Sequence, residues 1–160
     1  IDAGHSTTIY NGECVKISSG YVVGGNGSAA NIVGVLNGIF FNAADTLKPT
    51  FSTFYKATIT PANSEDTTAF VIDDPFQQYV VAADTATGVA TFLETYDMNS
   101  SAGSDTTGKS SSTLAIGTTS ADGKQFRMLR SAEDPENEDA TAAYYSVIVV
   151  SNTNAYNGHN

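Results

Sequence analysis

The stretch from residue 69 to residue 83 (AFVIDDPFQQYVVAA) places two short apolar runs on either side of a polar corner. Both runs are rich in β-branched and aromatic residues, which suit a pleated and mostly buried surface. Pro75 has no N–H to give a sheet ladder, and Asp73 and Asp74 can accept hydrogen bonds from nearby backbone N–H groups. The stretch therefore predicts a strand, an acidic corner and a second strand in the middle of an all-β domain.

The rest of the chain repeats the strand pattern. No segment longer than about ten residues keeps helical spacing without Gly or Pro. Asn11-Gly12 indicates a hairpin between Ile9-Tyr10 and the alternating segment 13–17, and Gly34 and Gly38 indicate a bend or bulge in the apolar segment 32–41. Further strands are predicted within 21–23, 50–60, 89–98, 114–116, 125–129 and 144–150. We predict an all-β fold, a single-domain β-sandwich or partly open β-barrel with little or no helix.

The chain of 160 residues, 41% of them hydrophobic, fits one domain with one real core. We predict an extended polar N-terminal arm at 1–8, an all-β domain at 9–150 and a polar C-terminal tail at 151–160. Within the domain, the Ser/Thr/Gly-rich run 99–113 is predicted to be an exposed loop. The segment 132–140, which holds five acidic residues, is predicted to be a surface loop.

The net charge of the chain limits the classes of partner that we expect it to bind. Acidic residues outnumber basic ones by 17 to 7, which gives a net charge of −10. Such a surface repels phosphate backbones and anionic lipids, so we expect neither a nucleic-acid nor a membrane partner. No apolar run approaches the roughly 18 residues of a membrane span.

Two short motifs imitate nucleotide sites. Residues 103–110 (GSDTTGKS) match the phosphate-loop pattern in full, and residues 25–30 imitate a dinucleotide fingerprint. Both motifs need a helix after the loop, so that its N–H groups converge on phosphate. The residues that follow each motif are poor in helix formers, and Asp105 would place a carboxylate inside the phosphate cradle. We therefore predict no cofactor.

Catalytic and metal-binding residues are equally scarce in the sequence. Cys14 is the single cysteine, and His5 and His159, both near the ends, are its possible partners. This set is too small for a nucleophile pair or a zinc site. Asp97 opens a segment that starts like a calcium loop, but the Gly and Glu that the loop requires are missing. We expect a buried apolar role for Cys14 and solvated or tag-like positions for the histidines. We also expect no metal, no catalytic residue and no enzymatic activity.

Six segments between about residue 9 and residue 150 follow one another in a familiar order: GECVKISSGYV, IVGVLNGIFF, PTFSTFYKA, AFVIDDPFQQYVVAAD, FRMLRSAEDPENED and YYSVIVV. Their order resembles that of the head decoration, or cement, proteins of tailed bacteriophages. The Ser/Thr-rich segment 99–112 departs from that pattern and is interpreted as a surface insertion. The matching positions are Gly12, Glu13, Val15, Lys16, Ile17, Gly34, Val35, Leu36, Gly38, Pro49, Phe51, Ser52, Phe54, Asp73, Asp74, Pro75, Arg127, Pro135, Glu136 and Asn137.

The resemblance implies a non-enzymatic virion structural protein, made in the host cytoplasm, that binds and stabilises the outer surface of a phage capsid. Its partners would be the major capsid protein and neighbouring copies of itself. We hypothesise that the extended ends, including Ile9, Tyr10 and Tyr156, order on the shell and form the capsid or self-interface. The alternative is a β-sandwich adhesion or glycan-binding module of a phage tail, a fibre or a cell surface.

Overall fold

The computed structural model describes residues 1–27, 31–86, 88–99, 103–118, 123–137 and 139–156. Within these ranges the chain forms nine β-strands, two short 3-10 segments (Ala62–Ser64 and Val89–Thr91) and no α-helix. The strands are β1 (Cys14–Ser18), β2 (Tyr21–Gly24), β3 (Ile32–Asn42), β4 (Pro49–Ser52), β5 (Thr68–Ile72), β6 (Gln78–Ala82), β7 (Thr95–Tyr96), β8 (Phe126–Ser131) and β9 (Ser146–Ser151).

The strands form two antiparallel sheets. In sheet 1, β2 pairs with β1, and β1 and β4 pair with successive parts of β3. β5 pairs with β3 along the opposite edge from β1 and β4. Sheet 2 has the order β6-β9-β8-β7. Apolar side chains from both sheets share one core, and the sheets do not close into a barrel. The all-β prediction is confirmed, and the architecture is consistent with its sandwich form.

The predicted strand, corner and strand of residues 69–83 are β5, an acidic turn and β6. The Asp74 carboxylate accepts a hydrogen bond from the Phe76 N–H at 2.9 Å, which forms the turn that the sequence predicts. The two strands belong to different sheets, because β5 pairs with β3 and β6 pairs with β9. This stretch is therefore the crossover between the two sheets.

Sheet 1 contributes apolar side chains to a core on each of its two faces. One face supplies Cys14 and Ile32 to the core shared with sheet 2. The other face supplies Val15, Leu36 and Ile39 to a second core, which also contains Ile1, Ile9 and Tyr55. The apolar residues of β3 therefore serve two cores, which explains why the segment 32–41 does not alternate cleanly.

The N-terminal segment differs from the predicted extended arm at 1–8. Ile1 and Ile9 are buried, and the N-terminal ammonium donates a hydrogen bond to the carbonyl of Thr67 at 2.7 Å. Ile9 and Tyr55 exchange backbone hydrogen bonds at 2.9 Å. The segment packs on the domain because the second face of sheet 1 is apolar and needs a cover. The mostly polar composition of residues 1–8 gives no sign of this packing in the sequence.

The turn at Asn11-Gly12 forms, but the predicted hairpin does not. The Glu13 N–H donates to the Tyr10 carbonyl at 3.1 Å, and Gly12 has a φ of 82°. The strands on either side of the turn then separate, because Ile9 pairs with Tyr55 while β1 pairs with β2 and β3. A bulge at Gly38 of β3 is confirmed.

The segments outside the strands also differ in part from their predictions. Strands predicted within 50–60 and 89–98 are shorter, since β4 ends at Ser52 and β7 has two residues. The tail at 151–160 is not free at its start, because Asn154 is buried and bridges Ile32. Residues 100–102 of the predicted loop 99–113, residue 138 of the acidic loop and residues 157–160 of the tail lie outside the described ranges. The described acidic side chains of 132–140 are exposed, as predicted.

The second core makes a testable claim about Ile9. We expect Ile9→Ala to lower the free energy of unfolding by about 2–5 kcal/mol, because a fully buried side chain is truncated. Ile17→Ala, at a half-exposed site in β1, should cost less than about 1 kcal/mol. Chemical denaturation of both variants measures the difference, and equal losses would contradict the packed N-terminal segment.

The close approach of β3 and β5 at Gly34 makes a second testable claim. A Cβ atom at Gly34 would lie 2.8 Å from the carbonyl carbon of Ile72 and closer still to its oxygen, so we expect Gly34→Ala to destabilise by about 3 kcal/mol. Gly88→Ala is the control, since a Cβ atom there meets open space. Thermal unfolding of the two variants tests the claim, and a stable Gly34→Ala protein would show the register to be wrong.

Candidate functional site

A cleft of about 590 Å³ opens between the two sheets along the edge of β6. Its volume lies within the range of about 300–1,000 Å³ that is typical of ligand sites. The floor is mostly apolar and combines side chains of both sheets: Cys14, Val35, Tyr79, Val81, Phe126 and Val149. Residues 109–113, Val80, Ala82 and Tyr144 form the rim.

The outer wall of the cleft is the segment 109–113, which the sequence places in a loop. At one end the Ser110 N–H donates to the Asn11 carbonyl at 2.9 Å, and at the other the Leu114 N–H donates to the Ala82 carbonyl at 2.9 Å. Between these anchors the Ser112 N–H donates to the Ser110 hydroxyl oxygen at 3.1 Å. The wall is therefore fixed at both ends and turns away from β6 in its middle.

Cys14 lies in the floor and is tied to the wall. Its thiol donates to Oδ1 of Asn26 at 2.9 Å, and Nδ2 of Asn26 donates to Oγ of Ser112 at 2.5 Å. Burial, with a smaller contribution from the Glu13 carboxylate, raises the pKa of the Cys14 thiol to about 12. The buried role that the sequence predicts for Cys14 is confirmed.

A second feature is an exposed aromatic face on sheet 1, formed by Phe40, Phe51 and Phe70. These side chains are 37%, 62% and 45% exposed. Phe40 and Phe51 are direct cross-strand partners, and the rings of Phe51 and Phe70 are 5.8 Å apart. Gly38 makes room for them, since a Cβ atom there would lie 2.7 Å from Cζ of Phe51.

The aromatic face and the cleft floor belong to the same side of sheet 1. Val35, in the floor, pairs with Ile72, which is partly exposed and lies two residues from Phe70 on the same face of β5. Sheet 2 packs over this side at Cys14, whereas the aromatic rings remain exposed. The cleft lies where sheet 2 packs over this side of sheet 1, and the aromatic face lies beyond the edge of sheet 2.

The three residues predicted to form an interface lie in different surroundings. Ile9 is fully buried, so it offers no surface for a partner, and this prediction needs correction. The Tyr10 ring stacks on Phe54, and its hydroxyl donates to Asp105 at 2.8 Å, a hydrogen bond that raises the pKa of Tyr10. Tyr156 is exposed and lies near Asp73.

The phosphate-loop match forms a turn closed on itself. The Gly108 N–H donates to the Ser104 carbonyl at 2.7 Å, and the Ser104 N–H donates to the Lys109 carbonyl at 3.0 Å. No helix follows in the described residues 111–118. Asp105 forms an ion pair with Lys56 at 3.4 Å. The N–H groups of Ser104 and Gly108 are therefore engaged within the protein rather than directed at a phosphate.

His5 differs from the solvated role predicted for it. It is half-buried, its ring packs 5.6 Å from that of Tyr55, and its Nε2 has no hydrogen-bond partner within the described structure. His159 lies outside the described ranges. In the described part of the chain, no three His, Cys, Asp or Glu residues converge as a metal site. No described helix has the length and apolar character that crossing a membrane requires.

Comparison with known proteins identifies no relative. No protein-family model, no curated protein and no solved structure matches this chain. Its function is therefore inferred from its own cleft and surface.

The Cys14 thiol provides a test of the cleft floor. At pH 8, a pKa of about 12 leaves about one thiol in ten thousand ionised, so we expect very slow reaction of the native protein with a disulfide reagent. Reaction should accelerate toward pH 12 and become rapid in denaturant, where the pKa returns to its usual range. Cys14→Ser supplies the blank. Rapid reaction of the native protein at pH 8 would contradict a buried thiol.

Proposed function

We propose that this chain is a non-enzymatic structural protein that binds and stabilises the outer surface of a phage capsid. Its partners on the virion would be the major capsid protein and neighbouring copies of itself. The observation that carries the proposal is the aromatic face of Phe40, Phe51 and Phe70, which sheet 2 leaves uncovered.

The aromatic face has the properties of a protein-binding surface. Contiguous exposed apolar side chains are unusual on a soluble monomer and mark interaction sites. Aromatic residues are enriched in the buried centres of protein interfaces, and charged residues are depleted there. The three rings lie on hydrogen-bonded strands, so binding them requires little ordering of the backbone. Repetition of this contact over a symmetric shell would multiply its strength.

The charge of the chain supports a place outside the shell. A net charge of −10 would be repelled by packaged DNA inside the capsid, whereas on the outside it favours solubility. Asp73, Asp74 and the described acidic side chains of 133–139 lie on the surface. The proposal therefore assigns recognition to the apolar face and solubility to the acidic loops.

The adhesion or glycan-binding alternative has one feature in its favour. Tyr144 is 66% exposed at the rim of the cleft, where a sugar ring could stack on it. Two of the neighbouring hydroxyls already have partners within the protein, because Ser110 donates to Ser112 and Ser112 also accepts from Asn26. Capsid decoration therefore remains the better-supported proposal, and glycan-array binding at the cleft would favour the alternative.

The proposal predicts the effect of removing two rings. The double substitution Phe51→Ser and Phe70→Ser should weaken binding to capsid shells that lack this protein by at least about tenfold, because aromatic anchors dominate interface energies. Both side chains are substantially exposed, so the fold should persist. Co-sedimentation with purified shells measures binding, and circular dichroism checks the fold.

Leu93→Ser is the matched control, since Leu93 is an equally exposed apolar side chain beside sheet 2. It should bind shells as the unmodified protein does. Equal binding by the double variant, or equal loss in both proteins, would contradict recognition through the aromatic face.

A further inference from the structure

The edge of β6 presents unpaired backbone groups to the cleft. Tyr79 and Val81 lie opposite Val149 and Val147 of β9, while the Ala82 carbonyl accepts the Leu114 N–H on the other edge. Because N–H and C=O groups of successive residues point to opposite edges of a strand, the N–H and C=O of Val80 and the N–H of Ala82 point away from β9. Val80 and Ala82 line the cleft.

At Leu114, the wall opposite this edge pairs in parallel with the end of β6, but the pairing does not continue along the wall. Leu114 bonds both the Ala82 carbonyl and the Asp84 N–H, as the first step of a parallel ladder. The next step would join Ser112 to Val80, but the Ser112 N–H donates to the Ser110 hydroxyl instead. Within the described residues, the Val80 N–H and C=O thus face the cleft without a backbone partner. An unpaired strand edge is a template for another strand.

We propose that the cleft binds an extended peptide that adds as a strand to the edge of β6, inserts uncharged apolar side chains between the sheets and places a Lys or Arg near Asp73 and Asp74. The inference goes beyond the proposed function, because it assigns a peptide site whichever protein supplies the peptide. Recognition of this kind takes affinity from main-chain hydrogen bonds and selectivity from pockets for alternate side chains.

The cleft floor suits the alternate side chains of such a strand. On a strand paired with Val80, every second side chain would point between the sheets toward Val35, Val81 and Phe126. None of the lining residues is a carboxylate, and Lys109 is the charged residue among them. A charged side chain inserted between the sheets would lose its hydration without an opposite charge at the apolar floor. The inserted side chains should therefore be apolar.

The charge at the start of β6 specifies the flank of the peptide. Asp73 and Asp74 are exposed in the corner that precedes β6. Tyr79 connects this corner to the cleft, because it lines the floor and its hydroxyl donates to the Ile72 carbonyl at 3.1 Å. Burial, followed by the charges of Asp74 and Asp73, raises the pKa of Tyr79, which agrees with their proximity. A Lys or Arg at this end of the peptide complements both carboxylates.

The test uses a defined peptide set. Each acetylated heptapeptide carries Lys at both ends. Between the ends, Val, Ile, Leu or Phe occupies three alternating positions that are separated by Thr, and a fluorophore is attached through a spacer. Fluorescence anisotropy with the full chain measures binding. We expect members of the set to bind, and N-methylation of the backbone facing β6 to weaken binding by at least about tenfold, because each methyl group removes a donor. Replacing the terminal Lys by Glu should also weaken binding.

Two substitutions at one position separate backbone pairing from side-chain contact. Val80→Pro removes the outward N–H, whereas Val80→Thr keeps it, and neither loses a bond to β9. Val80→Thr should bind as the unmodified chain does, and Val80→Pro at least about tenfold more weakly. If Val80→Pro fails to fold, amide hydrogen exchange of the unmodified chain replaces it. Peptide should then slow exchange at Val80 and Ala82 selectively.

Three results would overturn the inference. The first is failure of the whole peptide set to bind at millimolar concentration. The second is tight binding that does not involve the edge of β6. It would appear as binding that N-methylation does not weaken, or as binding that Val80→Pro does not weaken and that does not slow hydrogen exchange at Val80. The third is a glycan that occupies the cleft and excludes every peptide. None of these results bears on shell binding through the aromatic face, so the two proposals fail separately.

Discussion

The burial of β3 on both faces is the constraint on which the rest of this structure depends. Its hydrogen-bonded neighbours occupy both edges, and Gly34 lets β5 approach more closely than any side chain would allow. A strand in that position needs an apolar cover on each side. Sheet 2 covers one side, and the N-terminal segment, anchored by Ile1 and Ile9, covers the other. The fold is therefore a sandwich with an additional layer contributed by a short, mostly polar segment.

The crossover from β5 to β6 determines where the surface remains open. The acidic corner carries the chain from sheet 1 to sheet 2, in which β6 is an edge strand. Sheet 2 then covers the part of sheet 1 near Cys14 and leaves the rings of Phe51 and Phe70 in solvent. The cleft lies along the edge of β6, and the aromatic face lies on the part of sheet 1 that sheet 2 does not cover. The aromatic face supports the proposal of capsid binding, and the open edge of β6 carries the proposal of a peptide site.

The sequence predicted local structure better than long-range pairing. The β-branched runs beside Asp73 and Asp74 predicted β5 and β6 and their corner, since those choices depend on neighbouring residues. That the two strands join different sheets depends on partners far along the chain, β3 and β9, which composition does not reveal. Apolar residues at both odd and even positions of β3 and β5 were the available sign of two buried faces. The wall of the cleft, 109–113, is too poor in apolar residues for its role to be visible in sequence.

The most direct test of the capsid proposal is the copy number of this chain in intact particles from its source. Quantitative mass spectrometry would compare its peptides with those of the major shell protein. A decoration protein that covers the shell should be present at a ratio near one or above. A few copies per particle would instead place it in a tail or fibre, and its absence from particles would contradict a virion role.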